Sequence, residues 1–91
     1  MSLSANISTT SAARIMKRLC KHWSHKLQVS YDDEQGRVLF DPAVLNMQVS
    51  PQSLQATLSH ADEDTLIRLQ QVVADHLQRM AQPEVLVIEW V

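Results

Sequence analysis

The residues best suited to chemistry lie in one short segment, Cys20-Lys21-His22-Trp23-Ser24-His25-Lys26. A thiol and imidazoles are donors that Zn²⁺ and other transition metals prefer. If this segment is helical, His22 lies about 160° around the axis from Cys20, so the two cannot share an ion. His22 and His25, three residues apart, can face the same side, which makes them candidate ligands of an incomplete, two-imidazole metal site. A third ligand would have to come from a carboxylate, His60 or His76.

A structural interpretation of the same segment is favoured. Cys20 is predicted to pack as a small hydrophobic residue beneath the sheet, and a histidine near a helix C-terminus is stabilised by the helix dipole. Contact with a transition metal or with haem is the alternative, and nucleophilic catalysis by Cys20 ranks last. The cofactor therefore stays open, with iron or haem as the candidates.

The helix that carries this segment also has a basic face, which consists of Arg14, Lys17, Arg18, Lys21, His22 and His25. A solvated helix surface is the common identity of such a face, and an acidic protein or an anionic small molecule is its alternative partner. Nucleic acid is disfavoured, because the net charge is −2 and none of the four aromatic residues alternates with the basic ones. The candidate ligand-binding residues are Arg14, Arg18, Lys21, His22 and His25.

Charge is divided unevenly along the chain. Residues 1–31 contain five lysines and arginines and no acid, whereas residues 32–91 contain three arginines and all ten acids. This division predicts a dipolar surface, which favours electrostatic steering or self-association.

Length and composition define the class of protein. A chain of 91 residues forms one domain, and its single cysteine excludes an intramolecular disulfide. We see no apolar run long enough to span a membrane and no signal-peptide pattern. A soluble, cytoplasmic protein without a membrane partner is therefore expected.

The hydrophobic pattern predicts a two-layer α+β domain of order β-α-β-β-β-β-α-β, with two helices on one face of a mainly antiparallel sheet. The predicted helices lie at residues 11–23 and about 62–80, and the predicted strands at 5–9, 28–32, 38–40, 45–49, 54–58 and 85–91. Gly36, the only glycine, is expected to take a positive φ in the hairpin turn 33–36. Since residues 85–91 are apolar on both faces and one sheet face carries no helix, a homodimer through that face or a sheet edge is a further hypothesis.

Several segments resemble the bacterial domain-of-unknown-function family 2218. The resemblance rests on residues 10–26, 33–40, 66–77 and the pair Glu89-Trp90. Its most specific parts are Leu19-Cys20-Lys21-His22 with His25-Lys26, followed by the stretch from Val73 to His76-Leu77. Members of that family are small stand-alone proteins or tails of siderophore-interacting, flavin-dependent ferric reductases. The resemblance implies an α+β fold and a link to iron acquisition, with such a reductase as a partner, but no catalytic residues. The loop 41–44 departs from it, because it lacks the expected glycine and cysteine.

These observations lead to two functional hypotheses. The first is a non-catalytic accessory module that binds iron, haem or a ferric-siderophore component through His22 and His25. The second is a protein-interaction or homodimerisation domain without a small-molecule ligand. An enzyme is disfavoured, because the chain has no phosphate-binding glycine loop, no nucleophile elbow and no His-Glu-x-x-His pattern.

Overall fold

The structure, a computed structural model, describes all of residues 1–91. It contains five strands and two helices in the order β-α-β-β-β-β-α. Their bounds are β1 Leu3–Ser8, α1 Ala12–Trp23, β2 Gln28–Tyr31, β3 Gln35–Leu39, β4 Val44–Ser50, β5 Ser53–Ser59 and α2 Glu63–Ala81. The predicted α+β fold with two helices and a mainly antiparallel sheet is confirmed.

The five strands form one antiparallel sheet in the order β1-β5-β4-β3-β2. Strands β2 to β5 follow one another as hairpins, and β1 then pairs along β5, with Leu3 opposite Leu58 and Ile7 opposite Leu54. Both helices cover the same face, because α1 packs across β2, β3 and β4 while α2 packs beside α1 and against β5. Neither helix combines the length and the apolar character that crossing a bilayer requires.

Alternation along the strands divides the sheet into a buried face and an open face. The buried face contributes the core residues Ala5, Ile7, Val38, Leu45, Met47, Leu54, Ala56 and Leu58. The two central cross-strand rows of the open face contain Ser4, Thr57, Asn46, Arg37 and Ser30, and Asn6, Gln55, Gln48 and Gln35. A second copy that docked on these rows would meet hydroxyls, amides and one cation rather than an apolar patch.

Helix α1 presents a continuous apolar stripe to this core. Its buried residues recur at helical spacing and are Ala12, Ile15, Met16, Leu19, Cys20 and Trp23. No side chain caps its N-terminus. Its basic side chains face away from the sheet, and Lys17 forms an ion pair with Asp33 in the β2–β3 turn.

Gly36 does not lie in that turn, which corrects the expectation of a positive φ. The turn is held by Asp32, whose carboxylate accepts hydrogen bonds from the backbone N–H groups of Glu34 (2.8 Å) and Gln35 (2.9 Å). Gly36 belongs to β3, faces α1 and has no positive φ. A Cβ atom at this position would lie 2.9 Å from Cys20 Sγ. The glycine is therefore required by the close approach of helix and strand rather than by the backbone of a turn.

The predicted terminal strand at residues 85–91 is also corrected. Only its last residue is paired, since Val91 and Ser4 exchange both backbone hydrogen bonds, the pattern of an antiparallel pair. Earlier in the segment, the Gln78 side chain accepts from the Leu86 N–H (2.9 Å) and donates to the Glu84 carbonyl (2.7 Å). These bonds tie the start of the segment to α2.

Helix α2 begins with a side-chain cap. The Asp62 carboxylate accepts a hydrogen bond of 2.8 Å from the backbone N–H of Thr65. Hydrogen bonds from Thr65, first from its side chain and then from its backbone N–H, lower the pKa of Asp62 below its ordinary value. The ionised carboxylate is therefore the form that stabilises the helix end.

Replacing Asp62 with alanine is expected to lower the melting temperature at neutral pH, because the Thr65 N–H loses its acceptor. Asparagine also caps helices, so Asp62→Asn should retain most of the stability at neutral pH. Since the folded-state pKa is lowered, the extra contribution of the carboxylate is complete above the ordinary aspartate pKa and is lost as pH falls through the folded-state value. Thermal unfolding at several acidic pH values should show a weaker pH dependence for Asp62→Asn than for the native chain, and equal dependence would contradict this account.

Candidate functional site

The basic residues of α1 do not form one free surface. Arg18 donates a hydrogen bond of 2.9 Å from Nη1 to the carbonyl of Met80, near the end of α2, where helix carbonyls lack intrahelical partners. Lys17 is occupied by Asp33. Arg14 and Lys21 are exposed and make no side-chain hydrogen bond or ion pair. Arg18 therefore links α1 to α2. Fewer basic side chains of α1 are free to bind a ligand than their positions in the sequence predict.

His22 meets His76 of α2. The centroids of the two rings are 5.7 Å apart, with an angle of 44° between their planes. His25 lies in the turn after α1, is exposed, and makes no ring contact with either imidazole. The structure thus pairs one predicted metal-binding residue, His22, with a histidine that the sequence suggested only as a possible third ligand.

The tautomer of His76 follows from its hydrogen bond. Its Nδ1 atom lies 2.7 Å from the carbonyl oxygen of Val72, one turn earlier in α2. A carbonyl oxygen can only accept, so Nδ1 carries the proton. In the neutral ring, Nε2 then has a free lone pair, as in histidines that bind metals through Nε2 while Nδ1 is held by a carbonyl.

Trp23 packs against one member of this histidine pair, His76. Its ring centroid lies 5.0 Å from that of His76 and 5.1 Å from that of Phe40, which it meets edge to face. Trp23 is 6% exposed, as expected for a core residue rather than a stacking platform. We call Phe40, Trp23, His76 and His22 the aromatic row; it runs from the end of β3 to the outer surface of the helix layer.

The structure contains no group of three or more histidine, cysteine, aspartate or glutamate side chains placed to hold a metal ion. Neither His60 nor a carboxylate therefore lies where it could act as the predicted third ligand, and His25 does not join His22. An ion at His22 and His76 would complete its coordination with water or with donors from a bound molecule.

Cys20 takes no part in this site. Its side chain is fully buried beneath α1, and burial raises the pKa of the thiol to about 11. Since the thiolate is the nucleophile, this cysteine is unreactive at neutral pH. The prediction that Cys20 packs as a small hydrophobic residue is confirmed.

A groove begins next to the aromatic row, between the β3–β4 loop and α2. Its volume is about 300 Å³, and its lining includes Phe40, Asp41, Thr65, Arg68, Leu69 and Val72. The loop is closed by a 2.8 Å hydrogen bond from the Phe40 N–H to the Ala43 carbonyl, and Asp41 has a left-handed backbone with φ of 55°. No sequence pattern predicted this groove, and the loop 41–44 was noted only for lacking the glycine and cysteine that the resemblance implies.

Comparison with known proteins places the chain among relatives without an assigned activity. No curated protein matches it. A solved structure, the NMR structure of PA4090 from Pseudomonas aeruginosa, is 42% identical, with a TM-score of 0.83 over 99% of this chain and 94% of that one. The profile of DUF2218, described as an uncharacterized protein conserved in bacteria, matches residues 4–91. The match confirms the resemblance found in the sequence, and the chain belongs to the DUF2218 family.

Proposed function

We propose that this protein is a non-catalytic binding module in which His22 and His76 contact a transition-metal ion whose remaining ligands come from water or from the molecule that carries it. The observation that supports this most directly is the approach of the two rings, together with the hydrogen bond that fixes the tautomer of His76.

The distance between the rings suits such an ion. Two imidazoles bound through nitrogen to one ion at about 2.1 Å have centroids roughly 5–6 Å apart, and the observed separation is 5.7 Å. Each ring comes from a different helix, and Trp23 packs against His76. The separation of the rings is therefore compatible with both imidazoles binding one ion.

Two neutral imidazoles suit zinc, copper, nickel and iron. With only two protein ligands, most coordination positions stay open, which suits an ion already held by a chelating molecule. The family resemblance motivates iron, haem or a ferric siderophore as the cargo and a siderophore-interacting reductase as the partner. The cargo and the reductase partner are both part of the proposal.

The test is a titration of the purified protein with each of four ligands: Zn²⁺, Cu²⁺, a soluble Fe³⁺ chelate and haem. Binding is measured by calorimetry and by absorbance. Saturable binding that is lost in both His22→Ala and His76→Ala is the expected result. His25→Ala and His60→Ala are the matched controls, because both remove an exposed histidine outside the aromatic row. Binding that survives His76→Ala, or that depends equally on His25, would contradict the site.

The second candidate function is protein interaction or homodimerisation. It is supported by the C-terminal segment, where Val85, Val87 and Val91 are 83%, 71% and 88% exposed. Residues 85 and 87–90 make no backbone hydrogen bond to the rest of the chain, so their N–H and C=O groups are free to pair with another chain.

If the segment pairs with a second copy, analytical ultracentrifugation should show a concentration-dependent dimer. Val85→Ser/Val87→Ser should then be monomeric, while a change on the open sheet face, Gln55→Ser, should leave the dimer intact. A native protein that remains monomeric at millimolar concentration would contradict the homodimer.

A further inference from the structure

We propose that the groove between the β3–β4 loop and α2 binds a small zwitterion of amino-acid size, with its carboxylate on Arg68, its ammonium group on Asp41 and its apolar part along α2. This site is separate from the proposed function at His22 and His76, and no step of that function uses it.

The groove is large enough for a small molecule and has a partly apolar lining. Its volume of about 300 Å³ is at the lower end of the range for ligand pockets. Phe40 and Leu69 are half-buried, and Val72 is 39% exposed, so part of an apolar wall is open to solvent. A ligand with an apolar part would remove this wall from water.

Arg68 is available to a ligand. Its guanidinium makes no side-chain hydrogen bond and no ion pair within 4 Å. The nearby Asp62 is occupied by Thr65, through the hydrogen bonds that cap α2. The five guanidinium N–H donors are therefore free to bind a carboxylate, which they match in a bidentate geometry.

Asp41 supplies the opposite charge on the other wall. It is exposed, has no hydrogen-bond or ion-pair partner, and does not pair with Arg68 although both line the groove. The Phe40–Ala43 hydrogen bond closes the loop that carries Asp41. A free cation and a free anion across one small groove complement a ligand that carries both charges.

Three small molecules test separately whether the groove recognises the carboxylate and the ammonium group of a ligand. Phenylalanine carries both charges, 3-phenylpropanoate lacks the ammonium group, and 2-phenylethylamine lacks the carboxylate. In ¹⁵N-labelled protein, phenylalanine should shift the amide signals of Ala43, Thr65, Leu69 and Val72, and should bind more tightly than either analogue.

Single substitutions test which side chain binds which charged group of the ligand. Arg68→Gln should weaken phenylalanine binding about tenfold or more, as expected for the loss of a charge-assisted hydrogen bond. Asp41→Asn should abolish the preference for phenylalanine over 3-phenylpropanoate, and asparagine tolerates the left-handed backbone, so the loop should stay folded. Arg79→Gln is the matched control, because Arg79 is an exposed arginine of the same helix, α2, that does not line the groove.

Two results would overturn the site: phenylalanine that shifts no groove amide up to its solubility limit, or shifts that Arg68→Gln leaves unchanged. His22→Ala/His76→Ala should keep phenylalanine binding, since the groove does not use those imidazoles. Loss of metal binding without loss of phenylalanine binding, or the reverse, therefore distinguishes the two proposals.

Discussion

Replacing Trp23 with alanine is expected to lower the free energy of unfolding by about 3–5 kcal/mol. The indole is 6% exposed and joins the end of α1 to Phe40 of the β3–β4 loop and to His76 of α2. Its removal leaves a large cavity where three elements meet, and the loss is a substantial part of the 5–15 kcal/mol typical of a domain.

Urea unfolding followed by circular dichroism measures this loss. Trp23→Phe retains an aromatic ring and should lose much less stability than Trp23→Ala. Lys21→Ala, an exposed change in the same helix without a side-chain partner, should stay within about 0.5 kcal/mol of the native protein. A Trp23→Ala variant that loses less than about 1 kcal/mol would show that α1 is not anchored through this residue.

Replacing Gly36 with alanine is expected to cost about 1–3 kcal/mol, as overpacking of a core does. The new methyl group would lie 2.9 Å from Cys20 Sγ and 3.1 Å from Met16 Sδ. Met16 can adjust through its flexible side chain, but Cys20 is short and fully buried, so α1 would have to move away from β3.

A double-mutant cycle identifies this contact as the cause. Cys20→Ala removes the sulfur atom that the new methyl group meets, so Cys20→Ala/Gly36→Ala should be more stable than the sum of the two single changes predicts, by about 0.5–3 kcal/mol. Chemical denaturation of all four proteins provides the comparison. Additive losses would mean that Gly36 is needed for its backbone, as the sequence analysis assumed, and not for the space beside α1.

The helices and most strands could be predicted because each has a periodic pattern of its own. The stripe from Ala12 to Trp23 and the alternation in β4 and β5 depend only on neighbouring residues. Gly36 was misplaced because its role depends on Cys20, which approaches it from another element. The C-terminal segment has a strand pattern, but the Gln78 side chain binds the backbone at its start. In both cases a tertiary contact overrides a local preference.

The candidate sites were less predictable for the same reason. His22 and His76 are 54 positions apart, and their contact depends on how α1 and α2 pack together. Sequence spacing favoured His25 instead, because it treats the helix as continuing beyond Trp23. Asp41 and Arg68 line one groove only because the β3–β4 loop folds beside α2. No local sequence motif could have predicted that either pair of residues lies close together.

The position of β1 has a consequence for the newly made chain. Its partner, β5, is the last strand in the sequence, so β1 emerges first and has no strand to pair with until residue 59 has been made. The hairpins from β2 to β5 can close in order of synthesis, because each partner follows directly. Ala5 and Ile7, buried in the folded protein, lack their neighbours on β5 throughout that interval. The polar residues that alternate with them, Ser4, Asn6 and Ser8, keep the waiting strand from being apolar on both sides.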